Sequence, residues 1–72
     1  MLDFVDAPLS EVLNEFNRRN AVQLVVGDSV LLDLSITATV HTGRPEEFVR
    51  ILEFTEGIVA RRENNERIVL VK

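Results

Sequence analysis

The chain has 72 residues, a formal net charge of −4 and no cysteine, so it has no disulfide and no thiolate metal site. The acidic balance argues against nucleic acid or an anionic membrane surface as a partner, because such binding needs an excess of basic residues. Hydrophobic residues make up 46% and charged residues 28% of the chain, as in ordinary globular proteins, so we expect one domain over residues 1–72.

The chain begins with a short predicted strand, Leu2–Val5, followed by an amphipathic helix within Asp6–Asn20. Apolar residues of this helix recur at positions i, i+3, i+4 and i+7, which puts them on one face: Leu9, Val12, Leu13 and Phe16. Pro8 suits the first turn, where its missing N–H costs nothing, with one of the two residues before it as the cap. Asn20 suits the left-handed conformation that often terminates a helix.

Two further strands are predicted in the middle of the chain. The β-branched run Val22–Val26 predicts the first, and Val30–Leu32 is expected to form an irregular or single-turn apolar segment after it. Leu34–Val40 alternates apolar with polar residues, so one face of this strand is expected to be buried and the other exposed.

A second helix is predicted from Pro45 to about Glu56, with the proline in its first turn and Gly57 just past its end. Its inward stripe is predicted to be Phe48, Ile51, Leu52 and Thr55. Phe54 points away from that stripe and is expected to be exposed.

The remaining segment, Ile58–Val71, predicts a hairpin with two alternative registers. A two-residue loop would place Arg62 opposite Arg67, which is unfavourable because like charges repel. We favour a three-residue loop that ends with Asn65 in the left-handed conformation. The cross-strand pairs are then Arg62 with Glu66, Ala60 with Ile68, and Ile58 with Leu70. One consequence is an outer face made of valines and arginines: Val59, Arg61, Arg67, Val69 and Val71.

The predicted order of elements is β-α-β followed by β-α-β-β. This order indicates an α+β fold of two βαβ-type units, in which two helices pack between small sheets. The two apolar helix faces are expected to share one small core.

No arrangement typical of catalysis, metal binding or cofactor binding stands out in the sequence. His41, the single histidine, follows a strand and is expected to be a solvated turn residue. Ser29 lacks the flanking glycines of a nucleophile elbow, and the three glycines are too scattered to cradle a phosphate. We therefore expect no enzyme activity, no cofactor and no metal.

The arginines of the final hairpin have two interpretations. Arg61, Arg62 and Arg67 either balance the nearby acidic residues or, together with the valines of the outer face, form a surface that docks another protein. An exposed strand edge in the hairpin is also suited to accept a partner strand.

The segment DAPLSEVLNEFNRRN, residues 6–20, resembles the start of the C-terminal domain of FecR-type anti-sigma regulators. In that family a short strand and an Asp-x-Pro-Leu sequence lead into a helix that ends Leu-Asn-Arg-Tyr-Asn. The chain departs from this pattern at Phe16, where leucine is usual, and at Arg19, where tyrosine is usual. The residues of this chain that match the family motif include Asp6, Pro8, Leu9, Asn17, Arg18 and Asn20.

The resemblance implies a protein-interaction domain whose fold is similar to the short N-terminal domain of secretins and TonB-dependent transducers. The implied location is the periplasm, as part of an inner-membrane protein with a single membrane span. The implied partner is the signalling domain of an outer-membrane TonB-dependent transducer, and the regulator would control an extracytoplasmic-function sigma factor in iron-uptake regulation. Neither nucleic acid nor direct membrane contact is expected for the domain itself.

The resemblance also implies roles for the polar residues of the motif. Arg18 lies nearly opposite the buried stripe and is expected, with Arg19, to contact the partner. Asn17 lies at the edge of the stripe and is expected to bond a neighbouring loop. Satisfying the end of the helix is an alternative role for both Asn17 and Arg18.

Two other identities stay open. The chain is alternatively the signalling domain of a TonB-dependent transducer or secretin, although those domains usually have a segment richer in alanine and glycine where this chain has NEFNRRN. A small-ligand-binding or catalytic domain would need a polar pocket that the sequence does not supply.

No apolar run approaches the roughly 20 residues of a transmembrane helix, and no signal peptide is visible, so a membrane anchor would lie outside this chain.

Overall fold

The computed structural model describes residues 1–72 of the chain. In chain order the elements are β1 (Leu2–Pro8), α1 (Leu9–Arg19), β2 (Gln23–Val26), a 3₁₀ helix (Ser29–Asp33), β3 (Ser35–Val40), α2 (Pro45–Glu56), β4 (Val59–Asn64) and β5 (Arg67–Val71). This is βαβ followed by βαββ, so the predicted α+β fold class is confirmed.

The five strands form two small sheets. β1 and β3 make an antiparallel pair, and the second sheet has the order β2-β5-β4, with β2 parallel and β4 antiparallel to the central β5. Each sheet therefore takes strands from both halves of the chain, and neither βαβ unit has a sheet of its own.

The core consists of buried apolar side chains from both helices and both sheets, and no polar or charged residue is buried. The predicted inward stripe of α1 is confirmed, because Leu9, Val12, Leu13 and Phe16 are all buried. The predicted apolar turn after β2 is the 3₁₀ helix, whose Leu31 reaches the core. Every element thus contributes to one continuous apolar interior.

The start of α1 differs from the prediction. Pro8 is the last residue of β1 and has extended dihedrals (φ −60°, ψ 143°), so it precedes the helix instead of belonging to its first turn. A bulge in β1, with Asp6 in the left-handed region (φ 51°), lets the strand continue to that point. The Leu9 N–H donates to the Leu34 carbonyl at 2.9 Å, which satisfies the first helical donor without a side-chain cap.

The end of α1 also differs from the prediction, since Asn20 has extended dihedrals (φ −132°, ψ 149°). The chain runs from this residue almost directly into β2, and a left-handed residue would turn it elsewhere. The Asn20 side chain closes the helix instead, because its Nδ2 donates to the Phe16 carbonyl at 2.8 Å and to the Thr42 carbonyl at 2.5 Å.

The bounds of α2 and the left-handed Gly57 (φ 66°) after it agree with the prediction, and Phe54 is 91% exposed as expected. The predicted inward stripe is partly wrong. Ile51 is 39% exposed and Thr55 is exposed, whereas Val49 is fully buried. The helix contacts β4, and Ile51 and Thr55 line a groove next to β3. The buried residues of α2 are Phe48, Val49 and Leu52.

The β4–β5 hairpin has a register that differs from both predicted alternatives. The cross-strand pairs are Val59 with Val71, Ala60 with Leu70, Arg61 with Val69, and Arg62 with Ile68. A bulge follows Arg62, and the turn is Asn65–Glu66. Asn65 is not left-handed, and the Asn64 Oδ1 atom accepts a hydrogen bond from the Glu66 N–H at 2.7 Å to hold the turn.

Candidate protein interface

The outer face of the three-stranded sheet carries the valines and arginines that were predicted to lie together. Val59 is directly opposite Val71 and Arg61 is opposite Val69, and Arg67 lies two residues before Val69 on β5. The observed register differs from the favoured one by two positions, and a shift of two leaves every side chain on its original face. We call this surface the hairpin face and define it by Val59, Arg61, Arg67, Val69 and Val71.

The neighbouring strand β2 widens the hairpin face. Its parallel pairing with β5 places Gln23 beside Arg67 and Val25 beside Val69. This extension was missed from the sequence, because the pairing of β2 with β5 joins distant parts of the chain. The available signal was the alternation of β2, which leaves Gln23 and Val25 on the side opposite the apolar core positions.

Gly27 allows the valines of β5 to lie close to the end of β2. The Gly27 N–H donates to the Leu70 carbonyl at 2.8 Å. A Cβ atom on this residue would lie 2.7 Å from Val69 Cγ1 and 2.9 Å from Val71 Cγ1, which is closer than ordinary van der Waals contact. The glycine therefore keeps this part of the hairpin face flat.

One of the two arginines of the hairpin face is free of any ion pair. Arg61 is exposed and makes no ion pair, and the Arg67 Nε atom lies 3.0 Å from a carboxylate oxygen of Glu63 in a pair that solvent screens. Balancing of nearby acidic residues thus accounts for Arg67 but not for Arg61. With the half-exposed Val59 and the partly buried valines of β5, the face combines apolar area with arginine, as protein interfaces do.

Arg62 belongs to the other side of the sheet. It lies opposite the buried Ile68 and forms an ion pair with Glu46 of α2. The hydrogen bond between the two side chains holds the pKa of Glu46 below its usual value and raises the pKa of Arg62. This pair connects the hairpin to α2 and is not part of the hairpin face.

Arg18 and Arg19, the other predicted contact residues, lie at the end of α1 and are exposed. Both interact with Glu15 of the same helix, and the hydrogen bond from Arg19 is the main cause that lowers the pKa of Glu15. No hydrogen bond or ion pair joins either arginine to the hairpin face. In the structure, Arg18 and Arg19 therefore pair within α1 and not with the other predicted contact residues.

Asn17 fastens α1 to the outer edge of β2. Its Nδ2 atom donates to the Leu24 carbonyl at 3.0 Å, and its Oδ1 atom accepts from the Leu24 N–H at 2.8 Å. The side chain thus bonds the backbone of β2 as a neighbouring strand would. The neighbour that Asn17 was expected to bond is a strand, not a loop.

Gln23 completes this polar junction. Its Nε2 atom donates to the carbonyls of Asn17 and Asn20, both at 3.0 Å. Asn17 and Asn20 of the DAPLSEVLNEFNRRN segment, together with Gln23, therefore connect the end of α1, β2 and the loop after β3. Asp6, Pro8 and Leu9 form the bulged junction of β1 with α1, where the Asp6 N–H donates to Thr37 Oγ1 at 2.9 Å.

The structure holds no group of histidine, cysteine or acidic residues arranged to bind a metal ion. His41 is exposed just after β3, and every buried polar side-chain atom has a hydrogen-bond partner. None of the helices is long and apolar enough to cross a lipid bilayer.

The family model described as "FecR, C-terminal" matches residues 1–70. Two crystal structures of a candidate anti-sigma factor from Parabacteroides distasonis have the same fold over 99% of this chain. The identities are 27% and 28%, and the TM-scores are 0.79 and 0.81. This chain spans about one third of the length of those proteins (33%), and no curated protein matches it. On the match over residues 1–70, the chain belongs to the FecR C-terminal family.

Proposed function

We propose that this chain is a protein-interaction domain of a FecR-like anti-sigma regulator, with a regulatory role and no catalytic one. The observation that carries this proposal is the family match over residues 1–70, together with the likeness to candidate anti-sigma factors over nearly the whole chain. The same match favours the regulator over the signalling domain of a transducer or secretin. A core that runs from Phe4 to Leu70 supports one domain over residues 1–72.

In this proposal the domain lies in the periplasm, as part of an inner-membrane protein with a single span. Its partner is the signalling domain of an outer-membrane TonB-dependent transducer. The regulator as a whole then controls an extracytoplasmic-function sigma factor in iron-uptake regulation. The family resemblance supports these assignments, and control of the sigma factor is assigned to the regulator as a whole, because this chain spans only about one third of the length of the candidate anti-sigma factors that it resembles.

The hairpin face is the surface that we assign to the partner. An unpaired arginine, Arg61, lies beside apolar side chains on a sheet whose other face is fixed on the core. Docking there carries a signal only if the partner binds one state of the regulator more tightly than another. A ligand shifts the equilibrium between two states only by the difference between its affinities for them.

The experiment that tests this function is NMR mapping with the cognate transducer's signalling domain, identified by crosslinking and co-purification from periplasm. Amide signals of Val59–Arg61 and Arg67–Val71 are expected to shift, and those of α1 are expected to stay in place. Shifts confined to Arg18 and Arg19 would move the interface to α1. Absence of binding in both NMR and calorimetric titrations would contradict the proposed function.

A further inference from the structure

Three of the four strands at sheet edges carry a feature that disfavours pairing with another strand. β1 has a bulge with the charged Asp6 in the left-handed region. β4, the hairpin edge suggested by the sequence for a partner strand, carries three consecutive charged residues, Arg61–Glu63, which argue against that pairing. On β2, the Asn17 amide occupies both backbone hydrogen-bonding groups of Leu24. Bulges, charges and covering groups are the means by which natural sheets avoid unwanted pairing.

The fourth edge, that of β3, has none of these features. The strand reads SITATV, without a charge or a proline, and pairs with β1 on one side only. Outside that pairing, no hydrogen bond reaches the backbone of Ser35–Val40. The free side therefore presents backbone N–H and C=O groups that a further strand can bind.

A groove of about 310 Å³ runs between this free edge and α2. Four consecutive residues of β3, Ser35–Ala38, line one wall. Since successive side chains of a strand point to opposite faces, a wall made by four in a row is the backbone edge itself. The opposite wall belongs to α2 and is mainly apolar: Phe48, Ile51, Leu52, Thr55 and Glu56.

The groove has an acidic end. Glu56 is its one charged lining residue, is exposed and forms no ion pair. At the far end of β3, Arg44 already lies 3.6 Å from Glu47. A second copy of this chain would carry the same net charge of −4. The arginine near the far end of its own β3 would likewise be paired with Glu47, so that end would offer Glu56 no unpaired cation. A segment with its own basic residue complements the groove better.

We propose that β3 binds an extended peptide as a third strand of the β1–β3 sheet, with apolar side chains on the α2 wall and a lysine or arginine beside Glu56. Main-chain hydrogen bonds to β3 supply the affinity, and the alternating pockets and the acidic end supply the selectivity. This site lies on a different sheet from the hairpin face and does not depend on the proposed transducer partner.

The test uses acetylated, amidated peptides in which threonine and valine alternate. One carries lysine at its N-terminus and one at its C-terminus, because either strand direction can place the cation beside Glu56. A third peptide has glutamate in place of lysine. Hydrogen exchange measured by NMR is expected to slow for amides of Ser35–Val40 when one lysine peptide is added. The glutamate peptide is expected to bind about two- to fivefold more weakly, as the loss of one exposed ion pair implies.

Variants of the chain sharpen the assignment. Glu56→Lys should reverse the preference, so that the glutamate peptide binds more tightly than the lysine peptide. Ile51→Asp, on the rim of the groove, should weaken both, whereas Phe54→Ser, outside the groove, should change neither.

Three outcomes overturn the proposal. They are slowed exchange at β2 or β4 instead of β3, no binding of either lysine peptide, and slowed exchange of Ser35–Val40 that depends on protein concentration without peptide. The last result would assign the edge to a second copy of the chain.

Discussion

The ring of Phe16 stacks on the ring of Phe48, with centroids 4.7 Å apart and planes 16° from parallel. Both side chains are buried, one in α1 and the other in α2. The stack joins the two helices at the centre of the core, between sheets that each contain strands from both halves of the chain. Loss of this contact is therefore expected to weaken the whole fold.

Phe16→Ala should lower the free energy of unfolding by about 3–5 kcal/mol, because it removes a buried aromatic side chain and leaves a cavity. Phe16→Leu, the residue usual in the family at this position, should cost less. Phe54→Ala is the matched control, since that phenylalanine is 91% exposed. Urea unfolding of the three variants gives the comparison, and equal midpoints for Phe16→Ala and Phe54→Ala would show that the stack is not part of the core.

Asn17→Ala should lower the free energy of unfolding by about 1–3 kcal/mol, because it leaves the N–H and C=O groups of Leu24 without their partner. Asn17→Asp should also destabilise, since a carboxylate keeps the acceptor and loses the donor. Hydrogen exchange of the Leu24 amide is expected to accelerate in both. Asn14→Ala, at an exposed position of the same helix, should leave the exchange rate of the Leu24 amide unchanged. Unaltered exchange at Leu24 in the Asn17 variants would contradict the assigned role.

Gly27→Ala should lower the free energy of unfolding by about 1 kcal/mol, the low end for overpacking, because the valine methyl groups in its way are only half-buried. Gly43→Ala is the control, as a Cβ atom there meets nothing within 4 Å. Thermal unfolding of the two variants is the measurement. A Gly27→Ala variant as stable as Gly43→Ala would mean that the close approach of β2 and β5 is not needed.

The Glu46–Arg62 pair predicts a pH effect with a definite sign. The pKa of Glu46 is lowered from its ordinary value of 4.5 by the hydrogen bond from Arg62. The pair therefore stabilises the fold above the unfolded-state pKa, and this stabilisation is lost as the pH falls through the folded-state value. In an NMR titration, Arg62→Gln should raise the pKa of Glu46 towards 4.5, whereas Arg61→Gln should not. A pKa of Glu46 that is the same in both variants would refute the pair in solution.

Much of the local structure could be predicted because each element carries its own signal. The spacing of Leu9, Val12, Leu13 and Phe16 indicates the buried face of α1, and Gly57 indicates the end of α2. The shared outer face of the hairpin was also predictable despite the wrong register, since an error of two positions leaves each side chain on its side of the sheet.

The errors arose where a distant part of the chain decides the outcome. Pro8 ends a strand because β3 pairs with it, and the buried side of α2, which includes Val49, depends on how the helix packs on distant elements such as β4. Arg62 lies opposite Ile68 in a register that lets it reach Glu46 on another element. The widening of the hairpin face by Val25 likewise depends on the pairing of β2 with β5. None of these pairings has a signature in the local sequence, although the alternation of β2 indicates the face on which Val25 lies.

The most direct measurement of the hairpin face as a protein interface is the affinity of the Arg61→Glu/Arg67→Glu double variant for the cognate transducer's signalling domain. The matched control is Arg44→Glu/Arg50→Glu, which makes the same change in net charge and also alters one arginine of an exposed ion pair and one unpaired arginine. By calorimetry the hairpin variant should bind at least about tenfold more weakly, because both positive charges of the proposed interface are replaced by negative ones. The control should bind like the unaltered chain, and both should unfold at nearly its temperature. Undiminished affinity of the Arg61→Glu/Arg67→Glu variant would contradict the account.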